Sequence, residues 1–288
     1  MSPLFVIRRL SSIHGRGCRH DRKKRSEMKV TVCELSQEED DFQQDWNRLV
    51  EHVKSEGSEL VLLPEMIFHA WFAVQRPFQE RVWRDVMTAH DTWMERLHEL
   101  APAIVLGSRP VGRNGKRLNE AFVWSAETGY RGAHIKYYLP DEEGFWEASW
   151  YERGSGEFTP IDAGGVKIGL MICTDIWFFQ HARAYGQSGV HLIAHPRATQ
   201  RVNLDKWLVA GRAASVVSGA FCLSSNHVSP RGTHPELGGM GWIVGPDGDV
   251  LGSTSREEPF VTRDIDLGLA DRAKKTYPRY VVGDADWC

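Results

Sequence analysis

Long apolar runs are missing from this 288-residue chain: none reaches the roughly 18 residues that a membrane helix needs, which points to a soluble protein. Cysteine is sparse, with Cys18, Cys33, Cys173, Cys222 and Cys288 scattered and no C-x-x-C pair among them. An odd, unpaired set argues against a disulfide framework and against a structural zinc site, and it suits a reducing compartment. Charge of one sign is also lacking. The 35 Lys plus Arg stand against 38 Asp plus Glu for a net charge of −3, which excludes a uniformly basic nucleic-acid binder. The motifs G-x-x-x-x-G-K-[ST], G-x-G-x-x-G after a strand, H-E-x-x-H and G-x-S-x-G do not occur, so nucleotide, zincin and serine-elbow readings lose their support.

What is present is a chain with 42% hydrophobic and 10% aromatic residues, enough to bury a large core. Its charge is uneven: residues 1–27 hold eight bases and two acids, so the remainder is acidic at −9. The basic head has no apolar core of the secretory type. It reads as a solvated extension ahead of a domain over 28–288 in a cytoplasmic protein, with an organellar transit segment as the alternative.

From Met28 onward, short β-rich runs alternate with longer helical ones and no linker intervenes, an α/β pattern in one domain. Lys29 to Leu35 and Leu60 to Leu63 read as strands around a helix that carries Phe42, Trp46, Leu49, Val50 and Val53 at helical spacing and stops at Gly57. A long amphipathic segment from about Phe78 to Leu100 leads to a strand at Ile104 to Gly107. Two hairpins follow from their turn chemistry, Glu120 to Ser125 with Tyr130 to Ile135 and Trp242 to Val244 with Val250 to Ser253. Val166 to Ile172, Val190 to Ala194 and Phe221 to Ser224 are further strands, with helices near Gln180 to Ser188 and Leu204 to Ser218.

Reactive residue types stand just beyond strand ends, where open α/β sheets place ligands. Cys173 follows Val166 to Ile172, and backbone N–H groups there would favour its thiolate, although a free cysteine is more often inert core. Glu65 directly follows a buried strand, a setting that raises a carboxyl pKa and suits a general base; the plainer alternative is a loop or helix-start carboxylate. Lys136 follows Tyr130 to Ile135 and offers an ammonium to a developing oxyanion, against the usual fate of a solvated lysine. Glu147 lies in a loop where Glu142 and Glu143 compete with it, and composition selects none of the three.

The segments LVLLPEM at 60–66, GAHIKYYLPDEEGFWE at 132–147 and VKIGLMICTDIWF at 166–178 together resemble the nitrilase superfamily of carbon-nitrogen hydrolases. The Gly-rich hairpin near 239–253 fits as well, and the resemblance runs from Lys29 to about Asp266. It implies a four-layer α-β-β-α sandwich of two mixed sheets, usually paired into dimers. It also implies Glu65 as base, Lys136 as oxyanion partner, Cys173 as nucleophile and Glu147 as second carboxylate, with the Thr174 N–H beside Lys136 at the oxyanion. The implied reaction is hydrolysis of a linear amide or N-carbamoyl C–N bond through a thioester, and it needs no metal or organic cofactor. The loop LPDEEGFWE looks most like N-carbamoylputrescine amidohydrolases. Cys173-Thr174-Asp175 in place of the Cys-Trp-Glu of nitrilases favours amide over nitrile chemistry.

Aromatic residues crowd each candidate: Phe68, His69, Trp71 and Phe72 after Glu65, Phe145, Trp146, Trp150 and Tyr151 around Glu147, Trp177, Phe178 and Phe179 after Cys173. They read equally as core or as a flat-walled pocket, with Trp146 and Trp177 as substrate contacts able to hold an apolar or cationic group. Arg197, after the strand Val190 to Ala194, would instead bind an anion, so the charge of the substrate stays open. Two other readings stand beside the amidase: a Cys-His hydrolase in which His134, His191 or His195 serves Cys173, and a catalytically idle binding subunit of the same fold.

Overall fold

The computed structural model describes residues 26–281, so the basic head up to residue 25, Cys18 and Cys288 lie outside the described residues. Strands β1 (Glu27–Ser36) and β2 (Leu60–Leu62) run parallel and flank helix α1 (Glu39–Glu56) in sequence. Gly57, at φ +64°, closes α1 in the left-handed conformation that glycine adopts without Cβ strain. Helix α2 (Glu80–Met94) continues as a 3₁₀ turn (Glu95–Leu100) into strand β3 (Ile104–Arg113). Strand β3 is longer than the sequence pattern suggests. It pairs antiparallel with β4 (Lys116–Ser125) across Asn114-Gly115, both at positive φ, a hairpin that the sequence reading overlooked.

Strand β5 (Gly129–Ile135) completes a first sheet in the order β12-β1-β2-β3-β4-β5, where β12 is Phe260–Asp266. The short helix α3 (Glu147–Trp150) precedes strands β6 (Ile161–Ala163) and β7 (Val166–Leu170). Helix α4 (Phe179–Gln187), strand β8 (Leu192–Arg197), helix α5 (Leu204–Ser218) and strand β9 (Phe221–Val228) follow, then the hairpin β10 (Trp242–Val244) and β11 (Val250–Ser253) and helix α6 (Leu267–Ala273). The second sheet runs β6-β7-β8-β9-β10-β11 and joins the first where Glu34–Ser36 of β1 pair with Asn226–Val228 of β9.

The layers follow from strand periodicity. On β1, Met28, Val30 and Val32 pack between the sheets, whereas Cys33 and Leu35 face the α1 side. On β2 the split is Leu60 and Leu62 against Val61 and Leu63, and on β8 it is Leu192 and Ala194 against Ile193. Strands covered on both faces read as continuous apolar runs for this reason. Helix α1 covers the first sheet with Phe42, Trp46, Leu49 and Val53, and α4 and α5 cover the second with Ala182, Tyr185, Ala210 and Ala214. The result is the four-layer α-β-β-α sandwich. Glycine at 169 matters here: a Cβ would stand 2.4 Å from the Tyr185 ring, whose hydroxyl donates to the Leu170 carbonyl at 2.9 Å and ties α4 to the strand leading to Cys173.

Candidate active site

Three strand ends converge. Glu65 lies three residues past β2, Lys136 directly follows β5 and Cys173 lies three residues past β7, so the first sheet supplies the carboxylate and the ammonium and the second supplies the thiol. Two of these junctions turn through left-handed backbone at non-glycine residues, Met66 at φ +47° and Cys173 itself at φ +45°. Such conformations cost of order 1 kcal/mol or more and persist where the surroundings enforce them.

Glu65 is fully buried and pinned from the other sheet: its N–H donates to the Arg197 carbonyl at 3.4 Å, and His227 Nε2 donates to its carbonyl. Its Oε1 accepts from Lys136 Nζ at 2.8 Å and from Asn119 Nδ2 at 2.7 Å, while Oε2 is buried with no partner among the described residues. Lys136 Nζ also donates to Glu147 Oε2 at 2.5 Å, and Tyr151 OH donates to the same oxygen. Glu147 Oε1 and Asn119 Oδ1 are likewise buried acceptors with no partner among the described residues.

Electrostatics follow from this burial. Desolvation alone would depress the Lys136 ammonium, but Glu147 and Glu65 more than offset it and hold its pKa above the ordinary lysine value. Desolvation pushes Glu147 up to about 7, with Lys136 and the Tyr151 hydroxyl restraining the rise. The Cys173 thiol is raised well above its ordinary value by burial and by Glu65, with Lys136 opposing. The expected thiolate is therefore not the resting form. The segment after Cys173 is a five-residue 3₁₀ turn, Cys173–Trp177, and its N–H groups do not overcome desolvation.

Asp175 is the buried clip between the loops. It accepts from Ile172 N at 3.1 Å, Tyr138 N at 3.0 Å, Tyr137 N at 3.3 Å and His134 Nε2 at 3.0 Å, joining the Cys173 segment to the Lys136 segment. Of the histidines weighed as partners of Cys173, His134 is held by Asp175, and the N–H of Lys167 donates to His191 Nδ1. His195 Nε2 donates to the Cys173 carbonyl at 3.0 Å, so it supports the backbone of the thiol residue.

A cavity of about 340 Å³ opens onto Cys173, Thr174 and Glu147, with Trp177 and Phe145 in its wall. Trp177 thus lies where the sequence reading put it. Arg197 does not. It is fully buried and does not line the cavity: its guanidinium lies over the Trp242 ring, and four of its five N–H groups donate to Ser224 Oγ, Thr199 Oγ1 and the Gly239 and Met240 carbonyls. Trp146 is likewise outside the cavity wall, with its ring under Arg76. Of the three loop acids, Glu147 alone reaches Lys136; Glu142 stands at the cavity and Glu143 lies 3.9 Å from His234. Among the described residues no group of three or more His, Cys, Asp or Glu is arranged to hold a metal ion, and no helix is long and apolar enough to cross a membrane.

The sandwich and the Glu-Lys-Cys convergence define a class. The chain belongs to the carbon-nitrogen hydrolase family, whose model matches residues 29–275. Among its relatives, the chloroplastic omega-amidase of Arabidopsis thaliana is 25% identical over 240 residues, covering 80% of this chain and 65% of that protein, slightly under two thirds of the relative's length. The N-carbamoylputrescine amidase of the same plant is 24% identical over 251 residues, covering 80% of this chain and 83% of that one. The crystal structure of a carbon-nitrogen hydrolase from Helicobacter pylori G27 superposes with a TM-score of 0.80 at 20% identity, covering 91% and 97% of the two chains.

Proposed function

We propose that this protein hydrolyses a linear amide or N-carbamoyl C–N bond through a thioester on Cys173, releasing ammonia or an amine. The observation that carries the reading is the division of labour in the buried cluster. Glu65 Oε1 is fully engaged by Lys136 and Asn119, which leaves Oε2 open, and Lys136 spends two of its three hydrogens on carboxylates and keeps the third.

The free Glu65 oxygen takes the Cys173 proton as sulfur attacks the carbonyl carbon, so the raised thiol pKa is met by transfer at the moment of reaction. The third Lys136 hydrogen and the Thr174 N–H hold the tetrahedral oxyanion. As the C–N bond breaks, Glu65 returns the proton to the leaving nitrogen. Water then attacks the thioester as Glu65 takes its proton, and when the C–S bond breaks Glu65 passes that proton to the sulfur, so the acid departs and the thiol is restored. Glu147 Oε1 accepts an N–H of the substrate nitrogen, while Oε2 keeps Lys136 in place.

Turnover of a panel of small amides by the full chain tests this reading. Cys173→Ala is expected to abolish turnover and retain binding. Lys136→Met should lower kcat/KM about a hundredfold or more, as for loss of one oxyanion donor. Near-normal turnover in either variant would remove the assignment. We also place the protein in the cytoplasm as a homodimer, with residues 1–27 contributing nothing to the site. Exposed Val202 and Val209, at and near α5, support an interface there, and light scattering reads the oligomeric state.

A further inference from the structure

The ionisable side chains that line the cavity beside Cys173 are all carboxyls. Asp141, Glu142 and Glu147 line it, and no Lys, Arg or His does. Behind the wall, the single Lys136 ammonium is already shared by Glu65 and Glu147. Asp141 has a counter-ion in Arg76 at 3.1 Å, on the exposed surface. The Glu142 backbone exchanges hydrogen bonds with Phe145, but no side chain among the described residues pairs with its carboxylate. The cluster from Glu65 to Glu142 therefore presents net negative charge to whatever enters.

The rest of the wall agrees with that sign. Trp177 and Trp207 meet edge to face, with ring centroids 5.3 Å apart, and both border the cavity, Trp177 with 39% of its surface exposed. Aromatic faces attract a cation and offer nothing to a carboxylate. Gln200 and Asn203 add neutral polar groups. Arg197, the residue that would have bound an anion, is buried against Trp242 and does not line the cavity. A carboxylate brought into this cavity would lose its water beside Glu142 with no cation to receive it, and like-charge juxtaposition of that kind is strongly selective.

We infer that the substrate is an amide or N-carbamoyl compound whose distal end carries a cationic group, a primary ammonium or a guanidinium, and that the Glu142 carboxylate with the Trp177-Trp207 wall selects for it. This rests on the amidase reading. It adds the charge of the substrate, and a cavity of about 340 Å³ is at the small end of ligand sites, suited to a short chain.

Three amides of matched length test it: 5-aminopentanamide as cation, hexanamide as neutral isostere and adipamate as anion. With the full-chain protein at low salt, kcat/KM is expected to be at least about thirtyfold higher for the cation than for the anion, with hexanamide between them. The ratio should shrink as salt is raised. Glu142→Lys, at an exposed loop position, should lower the cation-to-anion ratio about tenfold or more. Adipamate processed as well as 5-aminopentanamide, or a ratio unmoved by Glu142→Lys, would overturn the inference. Calorimetric binding of the same three compounds to Cys173→Ala protein reads the charge preference without chemistry. Cation preference in binding with no turnover by the unaltered chain would count against the amidase reading alone, and turnover with the anion preferred would count against the charge inference alone.

Discussion

Tyr151 shows how much of the site's chemistry rests on single atoms. Its buried hydroxyl donates to the Glu147 oxygen that also receives Lys136, and it is one of the groups that restrain the rise of the Glu147 pKa to about 7. Tyr151→Phe removes that donor and keeps the ring in its packing against Phe72 and Trp83. The Glu147 carboxyl should then hold its proton to higher pH, so the acid limb of the kcat/KM profile, set near neutrality, should move toward alkaline pH. At pH 7 turnover should drop several-fold, while stability changes by about 1 kcal/mol, the ordinary worth of one hydrogen bond. A structural role alone would lower Tm and leave the pH profile in place, which separates the two. From the residues in order, Tyr151 was visible only as one of several aromatics near Glu147; that its hydroxyl meets a carboxylate four positions earlier is set by the one-turn helix α3, too short to announce itself by periodicity.

Elements position these residues by clipping loops together, and Asp175 is the clearest instance. Four donors from two segments converge on one buried carboxylate, so Asp175→Ala would strand Ile172, Tyr137 and Tyr138 N–H groups and His134 away from water. Leaving a buried network without its acceptor costs roughly 3 kcal/mol or more. Differential scanning calorimetry should show a Tm lower by several degrees, and turnover should fall with it because Cys173 and Lys136 lose their common anchor. Asp175→Asn, which keeps two lone pairs and loses the charge, should fall between. Unchanged turnover in Asp175→Ala would show that the two loops hold their spacing independently. The same element scale separates what could be read from the chain and what could not. Glu65 and Cys173 stood out because each follows a continuous apolar run, the mark of a strand covered on both faces, whereas Lys136 follows the largely exposed edge strand β5 and was singled out by the family resemblance. Asn119 and Asp175 were not, since a polar residue within a hairpin strand or a 3₁₀ turn looks solvated until its partners 54 and 41 positions away are known. Arg197 was misjudged for a related reason: the end of a central strand looks like a pocket mouth in sequence, but here the guanidinium turns onto Trp242 in the core.

At the scale of the whole molecule, the packing that encloses the site also sets its tolerance of acid. His90, His195 and His227 are fully buried, and desolvation lowers them to about 3, about 3 and about 4, with Arg197 adding to the effect at His195. Each stays neutral in the fold, whereas the unfolded chain takes up a proton near pH 6.5. Unfolding therefore gains protons as pH falls, so the stability these groups contribute is present above about pH 6.5 and is lost progressively down to about pH 3–4. By pH 5 the loss is of order 2 kcal/mol per histidine from the 1.36 kcal/mol per pKa unit, about 6 kcal/mol for the three. Glu147 opposes it, because a carboxyl raised to about 7 takes its proton in the fold first and adds stability as pH falls below 7. Asp45, raised by burial, acts with Glu147, but burial also lowers the partly buried His52 and His181, so the net slope follows the histidines. Chemical denaturation at pH 7, 6 and 5 should show a midpoint that falls with each step, steepening below pH 6.5. Replacing His90, which is remote in sequence from Cys173 and buried in the α2 layer, by Gln removes one proton-binding group from the unfolded chain and should flatten the slope. A midpoint constant from pH 7 to pH 5 would mean that these imidazoles are protonated inside the sandwich.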